Sequence, residues 1–468
     1  MAFLGIIAAG MIFTGTNPGY TEYELVHHLK TARVKFLLTE PEFLGTTRAA
    51  ASKCGIPLSN IRIFNVHKQN VPAGFKSWEE LMDHGEQDWV RFNDKKTSST
   101  TTAARLFSSG TTGLPKAASL SHYNFVSQHT LVVECFPKPW ETRRLQALPM
   151  FHAACVPSAH TSALKAGQEA FVMQRFDLEP FLANIEKYAI TDITFVPPIV
   201  IAVIMSPITK NYSLKSIRFA QCGAAPLGKG PQGRIQALLA EGATFTQVWG
   251  MTETCCIGSM FSYDEDDHTG SIGRFLPNID VKIIDDEGND ITDYNTPGEL
   301  TVRGPTVIPE YFDNPTANAQ SFDRDGFFKT GDVVYCDKDS KLWYVIDRKK
   351  ELIKVRGFQV APPEIEAVLL SHPQIVDAAV IGVVLGQEER DGEAPRAYVV
   401  RRPGAEGAKL DEKAVRAWCS ARLVKYKDLT GGVCFVDAIP KNASGKILKR
   451  VLREEWAKDT LPKEKARL

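Results

Sequence analysis

The residues whose types and spacing most directly point to chemistry form one loop: Leu106-Phe107-Ser108-Ser109-Gly110-Thr111-Thr112-Gly113-Leu114-Pro115-Lys116. Gly110 and Gly113 let backbone amides approach an anion without Cβ clashes. Ser108, Ser109, Thr111 and Thr112 offer hydroxyl donors, and Lys116 adds a compact positive charge. Such a loop suits phosphate. It is not of the Walker type, in which lysine directly follows the second glycine and Ser or Thr follows the lysine, because Leu114 and Pro115 intervene. Taken alone it also reads as a Ser/Thr-rich linker, since the low-complexity run Lys95-Lys96-Thr97-Ser98-Ser99-Thr100-Thr101-Thr102 lies just upstream.

Five further segments narrow the choice. They are Pro149-Met150-Phe151-His152, then Gln247-Val248-Trp249-Gly250-Met251-Thr252-Glu253-Thr254, then Lys329-Thr330-Gly331-Asp332. Next comes Asp347-Arg348-Lys349-Lys350-Glu351-Leu352-Ile353-Lys354-Val355-Arg356-Gly357-Phe358-Gln359-Val360, and last Pro440-Lys441-Asn442-Ala443-Ser444-Gly445-Lys446. In this order and spacing the whole chain resembles the acyl-adenylate-forming (AMP-binding) enzymes, most closely their 4-coumarate:CoA ligase-like and luciferase-like branch of acyl-CoA synthetases.

A carboxylate is a poor acyl donor at neutral pH, because it is ionised and its leaving group would be oxide. The resemblance implies how this is overcome: ATP and Mg²⁺ convert the acid to an acyl-adenylate, which the thiol of coenzyme A then attacks. It implies that the loop 108–116 holds the β- and γ-phosphates. Thr252 would meet the α-phosphate, and Glu253 would hold Mg²⁺, a hard cation that prefers oxygen ligands. Trp249 stands where the family packs an aromatic on adenine, Asp332 where a carboxylate accepts both ribose hydroxyls, and Arg348 where a second ribose or phosphate contact forms. Lys446 would be the electrophilic catalyst of adenylation.

The resemblance further makes Lys350 the pivot of a hinge, about which the small domain rotates to withdraw Lys446 and bring up Lys354 and Gln359 for the thiol step, with Gly357 permitting passage of the pantetheine arm. His152 would stand at the entrance of an acyl pocket that also involves Ala154, Gly223, Ala224 and Val248, the segment Cys222-Gly223-Ala224-Ala225-Pro226 forming one wall. Two positions depart from coumarate ligases: Ala154 replaces a tyrosine and Val248 a glycine, so a hydroxycinnamate substrate is not implied. Outside this context the same residues have plainer readings. Glu253 would be a solvated carboxylate, Trp249 a core residue, Asp332 a turn residue, His152 a structural histidine, and Lys446 part of a basic run with Lys449 and Arg450.

The elements that must position these groups follow from periodicity. Apolar runs at 34–38, 193–196 and 217–220 alternate with amphipathic stretches such as 181–188, which indicates α/β architecture with parallel sheets. At 298–303 and 342–346 the period shortens toward two, so a β-rich subdomain is expected. The polar run 347–350 then reads as a hinge, a helix as starting at Ala361-Pro362-Pro363-Glu364 and running over 364–370, and a strand as covering 376–384. The expected organisation is a large domain, 1–346, of parallel-sheet α/β subdomains plus a β-rich subdomain, followed by a small mobile α+β domain, 351–468.

Length and composition agree. At 468 residues with 55 basic and 55 acidic side chains, the chain has room for two or more domains and lacks the basic excess of a nucleic-acid binder. Nine cysteines without a CxxC pair fit a reducing compartment. The apolar segment 1–13 has no positive n-region and is too short to span a bilayer, so a buried helix is expected there. The family places a similar Gly-Ile-Ile-Ala-Ala-Gly helix well after its start, which implies that several dozen family residues are missing upstream. The last three residues, Ala466-Arg467-Leu468, resemble the Ser-Lys-Leu peroxisomal address, with an import receptor as the implied partner and the cytoplasm as the other location.

Three functions are consistent with these residues: an acid:CoA ligase for a hydrophobic aryl or fatty acid, a stand-alone adenylation enzyme loading a carrier protein, and a catalytically dead nucleotide-binding homologue. A luciferase-like oxygenation ranks below them.

Overall fold

The computed structural model describes residues 2–108, 115–349, 351–355, 358–385, 393–442 and 445–460, with side chains left out at 358–359 and 459–460. Its centre is a five-stranded, all-parallel sheet in the order Thr244–Gln247, Phe219–Cys222, Asp192–Phe195, Arg143–Gln146, Glu169–Val172. Successive side chains along a strand point to opposite faces, and here the two faces differ in kind. Leu145, Ile193, Phe195, Ala220, Cys222 and Phe245 enter one apolar core. Onto it packs the helix Leu178–Lys187, which buries Phe181, Leu182 and Ile185 at helical spacing. Phe181 is fully buried, so its truncation to alanine would cost about 3–5 kcal/mol. The other face carries Arg144, Gln146, Asp192, Thr194 and Gln221, polar residues that parallel strands buried on both sides rarely hold.

The β-rich subdomain is an antiparallel sheet of Asp280–Ile284, Gly298–Arg303, Phe328–Cys336 and Trp343–Arg348. A small α+β body follows. It comprises the hairpin Ile353–Val355 with Phe358–Val360, the strands Ile375–Val383, Ala394–Arg401 and Val433–Phe435, and helices that include Pro362–Leu370 and Lys449–Thr460. The helix begins with Pro362 in its first turn, because proline's missing N–H costs nothing there.

Three expectations need correction. The segment 1–13 is not a buried helix: the helix covers only Ala2–Ala8, Phe3 alone is fully buried, and Met11 and Ile12 are exposed. Gly10, at φ +71°, turns the chain away after one short helix. The run at 34–38 yields a strand only over Leu37–Thr39, with Phe36 and Leu38 exposed, because just one neighbour, Ile61–Ile63, pairs with it. The expected hinge run also begins inside regular structure, since Asp347 and Arg348 belong to the strand Trp343–Arg348.

Candidate active site

Ser108 and Lys116 end the two antiparallel strands Thr102–Ser108 and Lys116–Ser121 and sit opposite each other in register. The pairing clamps both ends of the candidate phosphate loop. Ser109, Gly110, Thr111, Thr112 and Gly113 lie outside the described residues. The Lys116 ammonium lies over the Tyr311 ring, 4.1 Å from its centroid. Tyr311 reaches this place because Glu310–Tyr311 adds a third strand to the pair, opposite Ala118. Its hydroxyl donates to Glu253 Oε1 at 2.6 Å, and burial together with that carboxylate holds the phenol far above its ordinary pKa. It therefore stays protonated and stays a donor.

Thr252 and Glu253 belong to a single buried 3₁₀ turn, Thr252–Thr254. The turn is held from both sides. Gly250 before it has no room for a Cβ, which would collide with the Cys256 carbonyl. After it, Cys255 and Cys256 both take positive φ, +54° and +97°, a conformation costly for residues with a side chain. Glu253 is 2% exposed, and among the described residues no group of three His, Cys, Asp or Glu side chains gathers around a metal position. One carboxylate suits Mg²⁺, which takes few protein ligands when phosphates and water supply the rest.

Asp332 follows Gly331, whose φ of +73° bends the strand Phe328–Cys336. Oδ2 of Asp332 accepts the Trp249 indole N–H at 2.8 Å, and Oδ1 faces Arg348 Nε at 3.1 Å. Arg348 is the cross-strand partner of Asp332. Trp249 is buried, edge-on to Phe275 at 5.6 Å. Besides any contact with adenine, it orients the carboxylate.

Lys446 approaches this group from the small domain. Its loop is closed by Asn442, whose N–H donates to the Lys446 carbonyl at 2.9 Å and whose Oδ1 accepts the Lys446 N–H at 2.8 Å. Gly445 turns at φ +82°, and a Cβ there would come within 2.7 Å of Pro198 Cγ. The loop is thus seated on the start of the helix Pro197–Met205. Burial and then Arg348 push the Lys446 ammonium down to a pKa of about 8, while Asp332, Glu351 and Glu253 pull the other way. Lys446, Arg348, Asp332 and Glu253 therefore form one electrostatic group.

Lys354 and Gln359 pair across the hairpin Ile353–Val355 with Phe358–Val360. Lys354 is exposed, its backbone N–H donates to Glu393 Oε2 at 2.9 Å, and among the described residues no hydrogen bond or ion pair links it to Asp332, Glu253 or Lys446. Lys350 lies outside the described residues. Its neighbours point opposite ways. Lys349 binds Asp286 and Glu299 of the large domain at 2.9 and 3.0 Å, whereas Glu351 binds Arg453 of the last helix at 2.9 Å.

His152, Ala154, Gly223, Ala224 and Val248 all line one cavity of about 560 Å³ beside this group. His152 Nδ1 accepts the Ala154 N–H at 3.1 Å, so the neutral ring carries its proton on Nε2; burial lowers its pKa and keeps it neutral. Gly223 is required, since a Cβ would lie 2.9 Å from Val248 Cγ1. The Val248 side chain occupies space that glycine would leave open. Sequence reasoning did not single out Tyr311, Arg144 or Gln221, the last two on the cavity wall. The polar face of the central strands was the available signal for Arg144 and Gln221.

The family profile described as "AMP-binding enzyme" matches residues 1–312, and that described as "AMP-binding enzyme C-terminal domain" matches residues 364–446. The chain belongs to the AMP-binding enzymes. It is 52% identical to acyl-CoA synthetase ACTT5 of Alternaria alternata, over 98% of this chain and 79% of that one. It is equally 52% identical to phenylacetyl-CoA ligase epaB of Aspergillus niger, over 97% of this chain and 84% of the relative. With 4-coumarate–CoA ligase 1 of Petroselinum crispum it shares 35% identity over 99% and 83%. Among solved structures, ATP-bound MatB from Rhodopseudomonas palustris superposes with a TM-score of 0.82 at 28% identity, covering 97% of this chain and 85% of that one. The apo form of the same MatB gives only 0.69 over the same shares. The AMP-binding enzyme described here thus superposes better on the ATP-bound form of that neighbour than on its apo form.

Proposed function

We propose that this AMP-binding enzyme is an ATP-dependent acid:CoA ligase that forms an acyl-adenylate and then an acyl-CoA thioester from an aryl or fatty acid. One observation carries the reading: Lys446, beside Gly445 seated against Pro198, shares its electrostatic surroundings with Arg348 and the buried carboxylates of Asp332 and Glu253, beside a cavity that can take an acid. The relatives at 52% identity are named for acyl-CoA synthesis, and one for phenylacetate. A dead homologue would not need a lysine brought from a second domain into this group.

In the first step Asp332, fixed by Trp249 and Arg348, would accept ribose hydroxyls on its remaining lone pairs. Lys116 and the loop would hold the terminal phosphates, with Thr252 on the α-phosphate. Glu253, steadied by Tyr311, would hold Mg²⁺, which supplies charge neutralisation between phosphates when bound. Lys446 would donate to the oxygens on which charge builds as the carboxylate attacks, and its ammonium must be protonated to do so. His152 would close the cavity against the nucleotide.

The second step needs a different set of groups. Turning about Lys350, between the oppositely anchored Lys349 and Glu351, would withdraw Lys446 and present Lys354 and Gln359, with Gly357 passing the pantetheine arm. A free thiol has a pKa of about 8.5, so the Lys354 charge would favour the attacking thiolate. A location in peroxisomes through Ala466-Arg467-Leu468, which lies outside the described residues, is part of the proposal. A fluorescent protein placed upstream of that tripeptide is expected in peroxisomes, and a diffuse cytosolic signal refutes it.

The functional test is AMP release over an acid panel with ATP, Mg²⁺ and either coenzyme A or a phosphopantetheinylated carrier protein. Turnover with free coenzyme A is expected. Turnover with the carrier alone would replace the ligase by a loading enzyme, and folded protein without acid-dependent pyrophosphate exchange would overturn both.

A further inference from the structure

The cavity that takes the acid is not uniformly apolar, and its wall holds polar groups without partners. Arg144 and Gln221 lie on the same face of the central sheet, Arg144 on Arg143–Gln146 and Gln221 on Phe219–Cys222, with Asp192–Phe195 between them. Both line the cavity. Gln221 is 5% exposed, and its Nε2 is shut off from the surface without a hydrogen-bond partner. The Nε of Arg144 is in the same condition, and among the described residues the guanidinium makes neither a hydrogen bond nor an ion pair. Buried donors left unpaired cost stability, so they persist where something else pairs them.

The charge around them does not close either. Lys138 is ion-paired with Asp192, whose other oxygen accepts the Trp140 indole N–H at 2.9 Å. Asp192 is also the cross-strand neighbour of Arg144 and feels its charge, but its oxygens are taken by Lys138 and Trp140, so two cations share one carboxylate and the guanidinium has no hydrogen-bonded partner among the described residues. At the rim Arg143 is paired with Glu169 at 3.0 Å, and Glu141 is exposed to solvent. A purely hydrocarbon acyl chain would seal a guanidinium and a carboxamide in a dry cavity with nothing to bond.

We infer that the acid carries an oxygen acceptor on its acyl portion, a second carboxylate or a carbonyl, which Arg144 and Gln221 hold while the reacting carboxylate faces His152 and the nucleotide end. Arg144 can grip a carboxylate with two parallel donors and be neutralised by it, and Gln221 can donate to either oxygen type. The inference rests on the ligase reading and narrows its substrate class from hydrophobic to oxygenated acids. Arg144 and Gln221 are specificity residues in it, remote from the reacting phosphorus.

The test uses the full chain and acid-dependent pyrophosphate exchange, with three acids of equal length in an aliphatic and an aryl series: a monocarboxylic acid, its terminal oxo analogue and the corresponding dicarboxylic acid. In the wild type kcat/KM is expected to favour at least one oxygenated acid over the hydrocarbon acid. Arg144→Leu should lower the oxygenated-to-hydrocarbon ratio by about tenfold to a hundredfold, the loss of one charge-assisted contact, through KM rather than kcat. Arg144→Lys should restore part of the ratio for the dicarboxylic acid. Gln221→Leu, a milder change in volume, should lower it less and mainly for the oxo acid. A wild type that prefers the hydrocarbon acid in both series, or a ratio unmoved in both the Arg144→Leu and Gln221→Leu variants, overturns the inference and leaves the ligase reading standing. Absence of exchange with every acid removes that reading and the inference with it.

Discussion

The two ends of the active site are built on opposite principles. At the nucleotide end each carboxylate is already held by a protein donor: Asp332 by Trp249 and Arg348, Glu253 by Tyr311. At the acyl end Arg144 and Gln221 present donors that no described residue satisfies. On the proposed reading the first arrangement would be preorganised for a ligand that never changes, and its positions would need little adjustment during reaction. The second is completed only by the acid, so that end discriminates among substrates.

Mutations should separate the two ends. The largest effect is expected for Lys446→Ala, which should slow adenylation by about 10²–10³-fold, as for other lost electrostatic groups, while sparing thioester formation from supplied acyl-adenylate. Equal loss in both half-reactions would remove Lys446 from its assigned role. Tyr311→Phe should come next. Without its donor to Glu253 the KM for ATP and Mg²⁺ should rise by about tenfold or more, with the KM for the acid unchanged. A rise in the acid KM instead would merge the two ends into one unit.

The pH profile offers a third and smaller effect. The Lys446 ammonium must be protonated and its pKa is lowered to about 8, so activity is present below that pH and lost above it. The kcat/KM for adenylation, which reports the free enzyme, should fall by about tenfold per unit on the alkaline side. Lys446→Arg should carry that limb upward, since guanidinium does not lose its proton in this range. A limb unchanged in this variant assigns it to another group. Smallest should be Val248→Gly, which frees space against Gly223 and should shift preference several-fold toward bulkier acids without touching the KM for ATP. An altered ATP KM would show that Val248 also supports its neighbour Trp249.

This division also explains what could be read without coordinates. The groups proposed for the nucleotide end sit in dense local patterns, Gly-Met-Thr-Glu around Glu253 and Ser-Gly-Lys around Lys446. The strand Gly298–Arg303 and the helix start at Pro362 were equally legible, from a two-residue period and from proline. Tyr311 was not. It joins Glu253 across 58 positions of sequence through a two-residue strand too short to leave a periodic trace. Arg144 and Gln221 escaped for another reason: they lie on separate strands, Arg143–Gln146 and Phe219–Cys222, and only the alignment of three strands sets them on one face. The helix at the start was overestimated because apolar composition predicts burial, while Gly10 and the exposure of Met11 and Ile12 depend on what packs nearby.

The rung that joins Asp332 to Arg348 has a mechanical corollary. Arg348 is the last residue of its strand, and three positions on, Glu351 already belongs with the helix Lys449–Thr460 through Arg453. In the proposed rotation the carboxylate that would carry the sugar thus sits beside the axle about which the lobe would swing. Loading the sugar would then stiffen that axle and its departure would loosen it, so release of spent nucleotide and resetting of the lobe would share a clock.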